Sequence, residues 1–237
     1  HDLGADNVKR AEIIPRSRSK VDQQIPPPES HFNKVMKNLL AAELPVLFLG
    51  NECIRTNPSD AVGEIAELIG APVMTAGKIP VVFPTTHPNF VGQFHRDDPS
   101  LTSKIDCLWS LGAPMFKRPM KPEQPLISRQ ALTMHTSLAS VDIGRNYPVD
   151  SAAFANIDTT AKAVLKILKT QKLNSSAIRE RKRWLAEYDS KRRKSLANKA
   201  KVEWDSNPIS TSRLMIELDR IIDKEADVVS EIVTSDD

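Results

Sequence analysis

The stretch PVLFLGNECIRTNPSDAVGEIAELIGAPVMTAG, residues 45–77, decides the fold. It opens on PVLFL, a continuous apolar run of the kind a strand shows when both of its faces are covered. Gly50 ends the run. NPSDAVGEIAELIG then carries Val62, Ile65, Ala66 and Ile69 at helical spacing, with Asn57 or Ser59 as the candidate N-cap and Gly70 as the stop. APVMTAG follows as a second short strand. Strand, helix, strand with short connections is a βαβ unit, which requires a parallel sheet and a right-handed crossover.

The pattern extends on both sides. Before the first strand, Phe32, Val35, Met36, Leu39 and Leu40 recur at helical spacing behind a candidate N-cap at Ser30. After the βαβ unit, IDCLWSLG (105–112) and QALTMHTS (130–137) predict two further buried strands, and AFANI (153–157) a short fifth. Thr159 is placed to cap TAKAVLKILKTQ, with Ala163, Val164, Ile167 and Leu168 on its inner side. Residues 30–172 thus read as one α/β domain, a doubly wound, Rossmann-like parallel sheet with helices on both faces. Residues 1–29 are polar, and IPPPES favours an extended polyproline spacer, so this region reads as a linker from a domain upstream. Residues 173–208 read as a basic helical linker lying on a surface; positions 175–205 hold 10 Lys/Arg and 5 Asp/Glu with only a broken apolar stripe. Ser210 is placed to cap TSRLMIELDRII, and ADVVSEIV reads as a first strand, so residues 209–237 look like the start of a further α/β domain.

Composition fits this picture and excludes several function classes. Of the 237 residues, 40% are hydrophobic and 27% charged, ordinary for a folded domain, while aromatics at 5% imply an aliphatic core. Gly is scarce at 8 and Pro frequent at 17, which argues against a glycine-rich nucleotide cradle. The net charge of +3 is too small to imply a nucleic-acid partner. Cys53 and Cys107 have neither metal nor disulfide spacing and read as buried small hydrophobes. No run approaches the roughly 18 apolar residues of a membrane span, and no signal peptide is visible, so the expected compartment is cytoplasmic. The chain begins at His1 and ends just after a β-type run, which leads us to expect a piece of a longer polypeptide.

The candidate chemistry sits where the strands end. In an open parallel sheet, ligands bind beyond the carboxyl ends of the strands, and a helix start there offers free N–H groups to a phosphate. Those ends are Gly50-Asn51-Glu52, Ala76-Gly77-Lys78 and Gly112-Ala113-Pro114. Neither G-x-G-x-x-G nor the Walker pattern is present, and Glu52 would repel a phosphate if it pointed inward. A nucleotide rim built from Gly50, Asn51, Gly77, Lys78 and Gly112 and a purely structural turn both remain open. Elsewhere, His87 in PTTHPNF reads as a loop residue satisfying a backbone group, and His135 as a core or edge histidine. HRDD (95–98) lacks a second ligand group at metal spacing, so no metal site is assigned. The basic clusters RERKRW and KRRK alternate with acids, as on a solvated helix, so nucleic acid is not a partner here. No catalytic residue can be named.

Taken in order, these segments resemble the central domain of thiamine-diphosphate-dependent enzymes of the acetolactate synthase, benzoylformate decarboxylase and pyruvate oxidase kind. AAELPVLFLGNECIRT resembles that family's opening strand and turn, AELIGAPVMTAGKIPVVFPTTHPNFVGQF the section after it, and IDCLWSLGAP the strand ending in Leu-Gly. SVDIGRNYPVD (140–150) is the most specific match. HDLGADNV resembles the end of the family's N-terminal domain, and NPISTSRLMIELDRIIDKEADVVSEIVTS the entry to its C-terminal diphosphate-binding domain.

That resemblance implies three α/β domains per subunit, assembled as a homo-dimer or tetramer, with thiamine diphosphate and Mg²⁺ held mainly by the two flanking domains. The glutamate that activates the cofactor belongs to the first domain and a Gly-Asp-Gly motif to the third, so a chain covering only the middle should be inactive alone. It also implies that Thr234 and Ser235 lie in the loop that approaches the diphosphate. Central domains of this family bind FAD, ADP or nothing. Flavin binders often have Arg where this chain has Pro114, and a more glycine-rich first turn where it has Asn51 and Glu52, so FAD is not expected. A stand-alone Rossmann-like adenine-nucleotide module is the second expectation.

Overall fold

The computed structural model describes residues 13–19, 22–77, 81–94, 98–115, 126–223, 225, 226 and 228. In chain order its elements are α1 (Arg16–Ser19), α2 (Glu29–Ala41), β1 (Pro45–Leu49), α3 (Cys53–Thr56), α4 (Ser59–Ile69), β2 (Val73–Thr75), β3 (Phe90–Gln93), α5 (Pro99–Thr102), β4 (Cys107–Leu111) and β5 (Leu132–Ser137). A 3₁₀ turn at Ser140–Asp142, β6 (Ser151–Phe154), α6 (Ile157–Leu168), α7 (Ser175–Val202) and α8 (Thr211–Ile221) complete it. The six strands form one sheet in the order β3-β2-β1-β4-β5-β6, and every pair is parallel. Strand order reverses between β1 and β4, so the switch point lies directly beyond Leu49 and Leu111.

Period-two alternation divides each strand between two cores. In β1, Leu47 and Leu49 face the core made with α2, α4 and α6, where Trp109 and Met134 also sit. Val46 and Phe48 face the opposite core, with Leu101 of α5 and Leu185 of α7. All five residues of β1 and of β4 are buried, which explains their unbroken apolar runs. The helices expected on both faces are present, but unequally: three long helices cover one side, while the other is closed by short α5 and by the first half of α7. The basic helix is therefore part of the domain's second core.

Arg181 fixes that helix in place. The residue is 6% exposed, and its guanidinium donates from Nε to Glu43 O (2.9 Å), from Nη1 to Ile69 O (2.8 Å) and from Nη2 to Ala42 O. These carbonyls end α2 and α4, where unpaired acceptors and the negative dipole end favour a cation. Asp106 closes the same hinge from the other side, its carboxylate accepting from Glu43 N (2.6 Å) and Leu44 N (2.9 Å). Gly70, at φ 67°, stops α4 as expected and also lets α7 pass, since a Cβ there would lie 3.1 Å from Ile178 O.

Several boundaries differ from the sequence expectation. Ser30 lies inside α2, whose N-cap is Pro28, and Ser59 lies inside α4, capped by Pro58; neither proline offers a side-chain acceptor. Asn57 instead ends α3 in the left-handed region at φ 46°. Asn156, not Thr159, caps α6, its side chain accepting from Thr159 N. Ser210 caps α8 as expected, accepting from Arg213 N. β6 begins two residues before the predicted strand. β3 was missed altogether: four residues long, interrupted by Gly92 at φ 95° and at the sheet edge, it carries almost no periodic signal. Most of ADVVSEIV lies outside the described residues.

A buried polar network joins α2 to the sheet. His31, 2% exposed, bonds through Nδ1 to Ser151 Oγ (2.9 Å) and through Nε2 to Thr136 Oγ1 (2.9 Å), which also accepts from Trp109 Nε1 (3.0 Å). Burial, with His135 and Lys34 nearby, lowers the His31 pKa to about 4. Unfolded, this imidazole protonates near its ordinary pKa of about 6.5, so in that interval the unfolded state binds the extra proton. Stability is thus complete above pH 6.5 and is lost as pH falls towards 4. Between pH 7.5 and 5 the loss from His31 is expected to be about 2 kcal/mol in urea titrations, and His31→Gln should flatten that part of the slope. His135 contributes in the same direction, since burial lowers its pKa too.

Candidate functional site

Because all strands run the same way, the candidate residues converge on one rim. The ladder continues one residue past β1, β2 and β4: Gly50 N donates to Leu111 O (2.9 Å), Ala76 N to Leu49 O (2.8 Å) and Gly112 N to Thr136 O (2.8 Å). Gly50 and Gly112 meet across the switch point. A Cβ on Gly50 would lie 2.1 Å from Gly112 O and 2.3 Å from Ala113 Cα, so the glycine serves close approach of the chain to itself. Gly77 is exposed at φ 62° on the far flank of β1, with nothing within 4 Å of an added Cβ. Lys78, Thr234 and Ser235 lie outside the described residues, as do His95, Arg96 and Asp97.

The turn after β1 leaves little for a phosphate. Cys53 N donates to Gly50 O (3.1 Å), Ile54 N to Asn51 O (3.1 Å) and Arg55 N to Glu52 O (3.1 Å). The helix beyond it is a single turn, ended by Asn57, and the longer α4 starts only at Ser59. A single turn sums few peptide dipoles, so the field at the rim is weak. Asn51 is exposed and contributes its carbonyl to this turn.

Glu52 completes the closure. Its Cβ sits over Gly112, 2.5 Å from where a Cβ there would be. Its carboxylate crosses the switch point to the end of β5, where Oε1 accepts from Ser137 Oγ and Oε2 from Leu138 N (2.5 Å). Ser137 Oγ in turn accepts from Ala139 N (2.9 Å). A side-chain carboxylate thus occupies donors that an anionic ligand would use. Beside it is a cavity of about 180 Å³ bounded by Gln23, Arg55, Thr56 and Leu138, below the roughly 300–1,000 Å³ usual for small-molecule sites. Glu52→Ala would strip the Leu138 N–H and the Ser137 hydroxyl of their acceptor, and is expected to cost about 1–3 kcal/mol in urea unfolding.

The remaining candidates are structural. Cys53 and Cys107 are 2% and 0% exposed, and burial pushes both thiols up to about 12, which keeps them protonated and unreactive. His87 Nδ1 accepts from Asn89 N (3.1 Å), while Nε2 lies 3.3 Å from Glu67 Oε1. His135 is fully buried, and among the described residues neither ring nitrogen has a hydrogen-bond partner. Among the described residues no group of three or more His, Cys, Asp or Glu could hold a metal, and no helix is long and apolar enough to cross a membrane. Sequence reading passed over His31 and Arg181. The spacing of Arg181 to Leu185 and Tyr188 on one helical face was the available signal for the second.

Fold and rim together define a Rossmann-like α/β domain whose switch point is crossed by its own glutamate. The chain belongs to the thiamine pyrophosphate enzyme family through its central domain, the model of which matches residues 32–164. It is 26% identical over 137 residues to an acetolactate synthase of Mycobacterium avium, covering 56% of this chain and 22% of that protein. A chloroplastic acetolactate synthase of Arabidopsis thaliana is 23% identical over 183 residues, 71% of this chain and 25% of that one. The chain thus spans about a quarter of the length of these relatives. Among solved structures, the fold matches a thiamine diphosphate-dependent 4-hydroxybenzoylformate decarboxylase of Rhodococcus jostii RHA1, with a TM-score of 0.57 at 23% identity over 69% of this chain and 32% of that one. It also matches a benzoylformate decarboxylase of Polynucleobacter necessarius, with a TM-score of 0.55 at 17% identity over 68% of this chain and 30% of that one.

Proposed function

We propose that this chain is the scaffold and interface domain of a thiamine-diphosphate-dependent enzyme acting on 2-oxo acids, a carboligase or decarboxylase of the acetolactate synthase kind. The family match over residues 32–164 carries this reading. Residues 30–172 are the central domain, 1–29 and 173–208 its connections, and 209–237 the entry to a diphosphate-binding domain in which Thr234 and Ser235 approach the cofactor. Thiamine diphosphate, with Mg²⁺, supplies the electron sink for the substrate carbanion when bound by the flanking domains of a cytoplasmic homo-dimer or tetramer. The chain alone has no turnover, and its rim takes no flavin. The Glu52 carboxylate supports the latter, because a pyrophosphate at the switch point would meet a fixed negative charge and lose the Leu138 N–H. The same contacts weigh against a stand-alone adenine-nucleotide module.

Sequencing the transcript on both sides of this segment tests the enzymatic reading. The expected result is an α/β domain with an activating glutamate upstream and a Gly-Asp-Gly motif downstream. A reading frame confined to residues 1–237 would refute it. Supplied with thiamine diphosphate, Mg²⁺ and pyruvate, the isolated chain should release no CO₂ above the cofactor-only background.

A further inference from the structure

α7 contains a stretch that the scaffold role does not use. Residues 193–199 are all exposed, two turns of helix between the first half of α7, buried through Arg181 and Leu185, and Ala200, buried near its end. A helix gains most of its stability from an apolar face against a partner, so this is the least protected part of α7 and the part that opens at lowest cost. The sequence Lys191-Arg192-Arg193-Lys194-Ser195-Leu196 leads into it. Two arginines stand three and two residues before an exposed serine, and an apolar side chain, 56% exposed, comes directly after it. That is the arrangement read by protein kinases whose substrate cleft pairs carboxylates with arginines and seats an apolar residue after the acceptor.

The surface is also arranged to receive the product. Ser195 shares a cavity of about 520 Å³ with the cations Lys104, Lys191 and Arg192 and with two carboxylates, Glu187 and Asp98, the latter accepting from Tyr188 Oη (2.6 Å). Arg192 is committed to Asp189 only through Nη2 (2.9 Å), and its buried Nε has no hydrogen-bond partner among the described residues. Lys191 and Arg192 lie one helical turn before Ser195, within reach of a phosphate on its side chain. A phosphoserine there would carry about −1.5 to −2 charge and three acceptor oxygens to a cavity where three cations outnumber two carboxylates.

We propose that Ser195 is a phosphoacceptor for a basophilic Ser/Thr kinase, and that its phosphate is seated by Lys191, Arg192 and Lys104. In the transfer, Ser195 Oγ bonds to the γ-phosphorus of Mg·ATP. The bond from that phosphorus to the β,γ-bridging oxygen breaks, ADP leaves with the electron pair, and the serine proton passes to the kinase's catalytic carboxylate. Once seated, the phosphate tightens the loose half of α7, the segment that connects the central domain to α8.

The test uses the full chain with the catalytic subunit of cyclic-AMP-dependent protein kinase and Mg·ATP, read by intact mass and peptide mapping. One phosphate per chain is expected, on Ser195. Ser19, with Arg16 three residues before it but no second arginine two residues before, is the internal competitor. Ser195→Ala should lower the initial rate roughly tenfold or more, and so should the Arg192→Ala/Arg193→Ala pair, which leaves the acceptor intact. These surface changes should leave the circular dichroism unchanged. Trypsin should cut the phosphorylated chain several-fold more slowly after Arg192 and Arg193. No incorporation, phosphate on Ser19 with Ser195 bare, an unchanged rate in Ser195→Ala, or unaltered trypsin cleavage would each overturn the proposal.

Discussion

Arg181→Met is expected to lower the unfolding free energy by about 3–5 kcal/mol and the melting temperature by about 10 °C. Methionine keeps most of the aliphatic stem, so the loss isolates the guanidinium. Three carbonyls, on Ala42, Glu43 and Ile69, lose a charge-assisted donor at once. They end two helices at a hinge that also holds Asp106, whose carboxylate would keep its backbone partners but lose the nearby cation. The first half of α7 is the long helix of the second core, so hydrogen exchange should speed up along α7 and in the residues it covers, Val46, Phe48 and Leu108. Arg181→Lys should recover less than half of the loss, since one ammonium cannot span three acceptors. Thermal and urea unfolding measure this directly, and a loss under about 1 kcal/mol would show that α7 is held by its apolar contacts alone.

Gly50→Ala is the second change of this size, with an expected loss of about 3 kcal/mol or more and little folded protein. The new methyl would lie 2.1 Å from Gly112 O and 2.5 Å from Ala113 N. These are backbone atoms of the neighbouring central strand's turn, and they cannot move without breaking the β1–β4 ladder. Gly77→Ala provides the contrast. It also sits at the end of a strand, but an added Cβ meets nothing, so only its φ of 62° is strained, at about 1 kcal/mol. Comparing the two in urea separates close approach from backbone conformation as the reason for glycine on this rim.

Much of the sheet was readable from local signals. PVLFL and CLWSL are apolar throughout because both faces of β1 and β4 are covered, and Gly70 sits where a helix must stop. The elements that escaped reading depend on partners far away in the chain. β3 is a strand because Val73, Met74 and Thr75 of β2 offer it a register, and its own four residues give no period. The helix caps at Pro28 and Pro58 were misplaced because the nearby serines carry the stronger capping propensity. Arg181 is one of ten basic residues in its segment, and only its spacing to Leu185 and Tyr188 on one helical face sets it apart. At the rim, Glu52 could be identified as unfavourable to phosphate, but its acceptance of hydrogen bonds from Ser137 and Leu138, 85 and 86 positions away, could not.

That carboxylate supports the proposed role, a Rossmann-like scaffold domain whose switch point is closed by its own side chain. Isothermal titration of the chain with FAD tests it most directly. Glu52 fixed over Gly112 predicts no saturable binding up to about 1 mM, weaker than about −4 kcal/mol. Saturation at about 1 μM or tighter, roughly −8 kcal/mol, would mean that the crevice opens to a flavin and that Glu52 does not seal it.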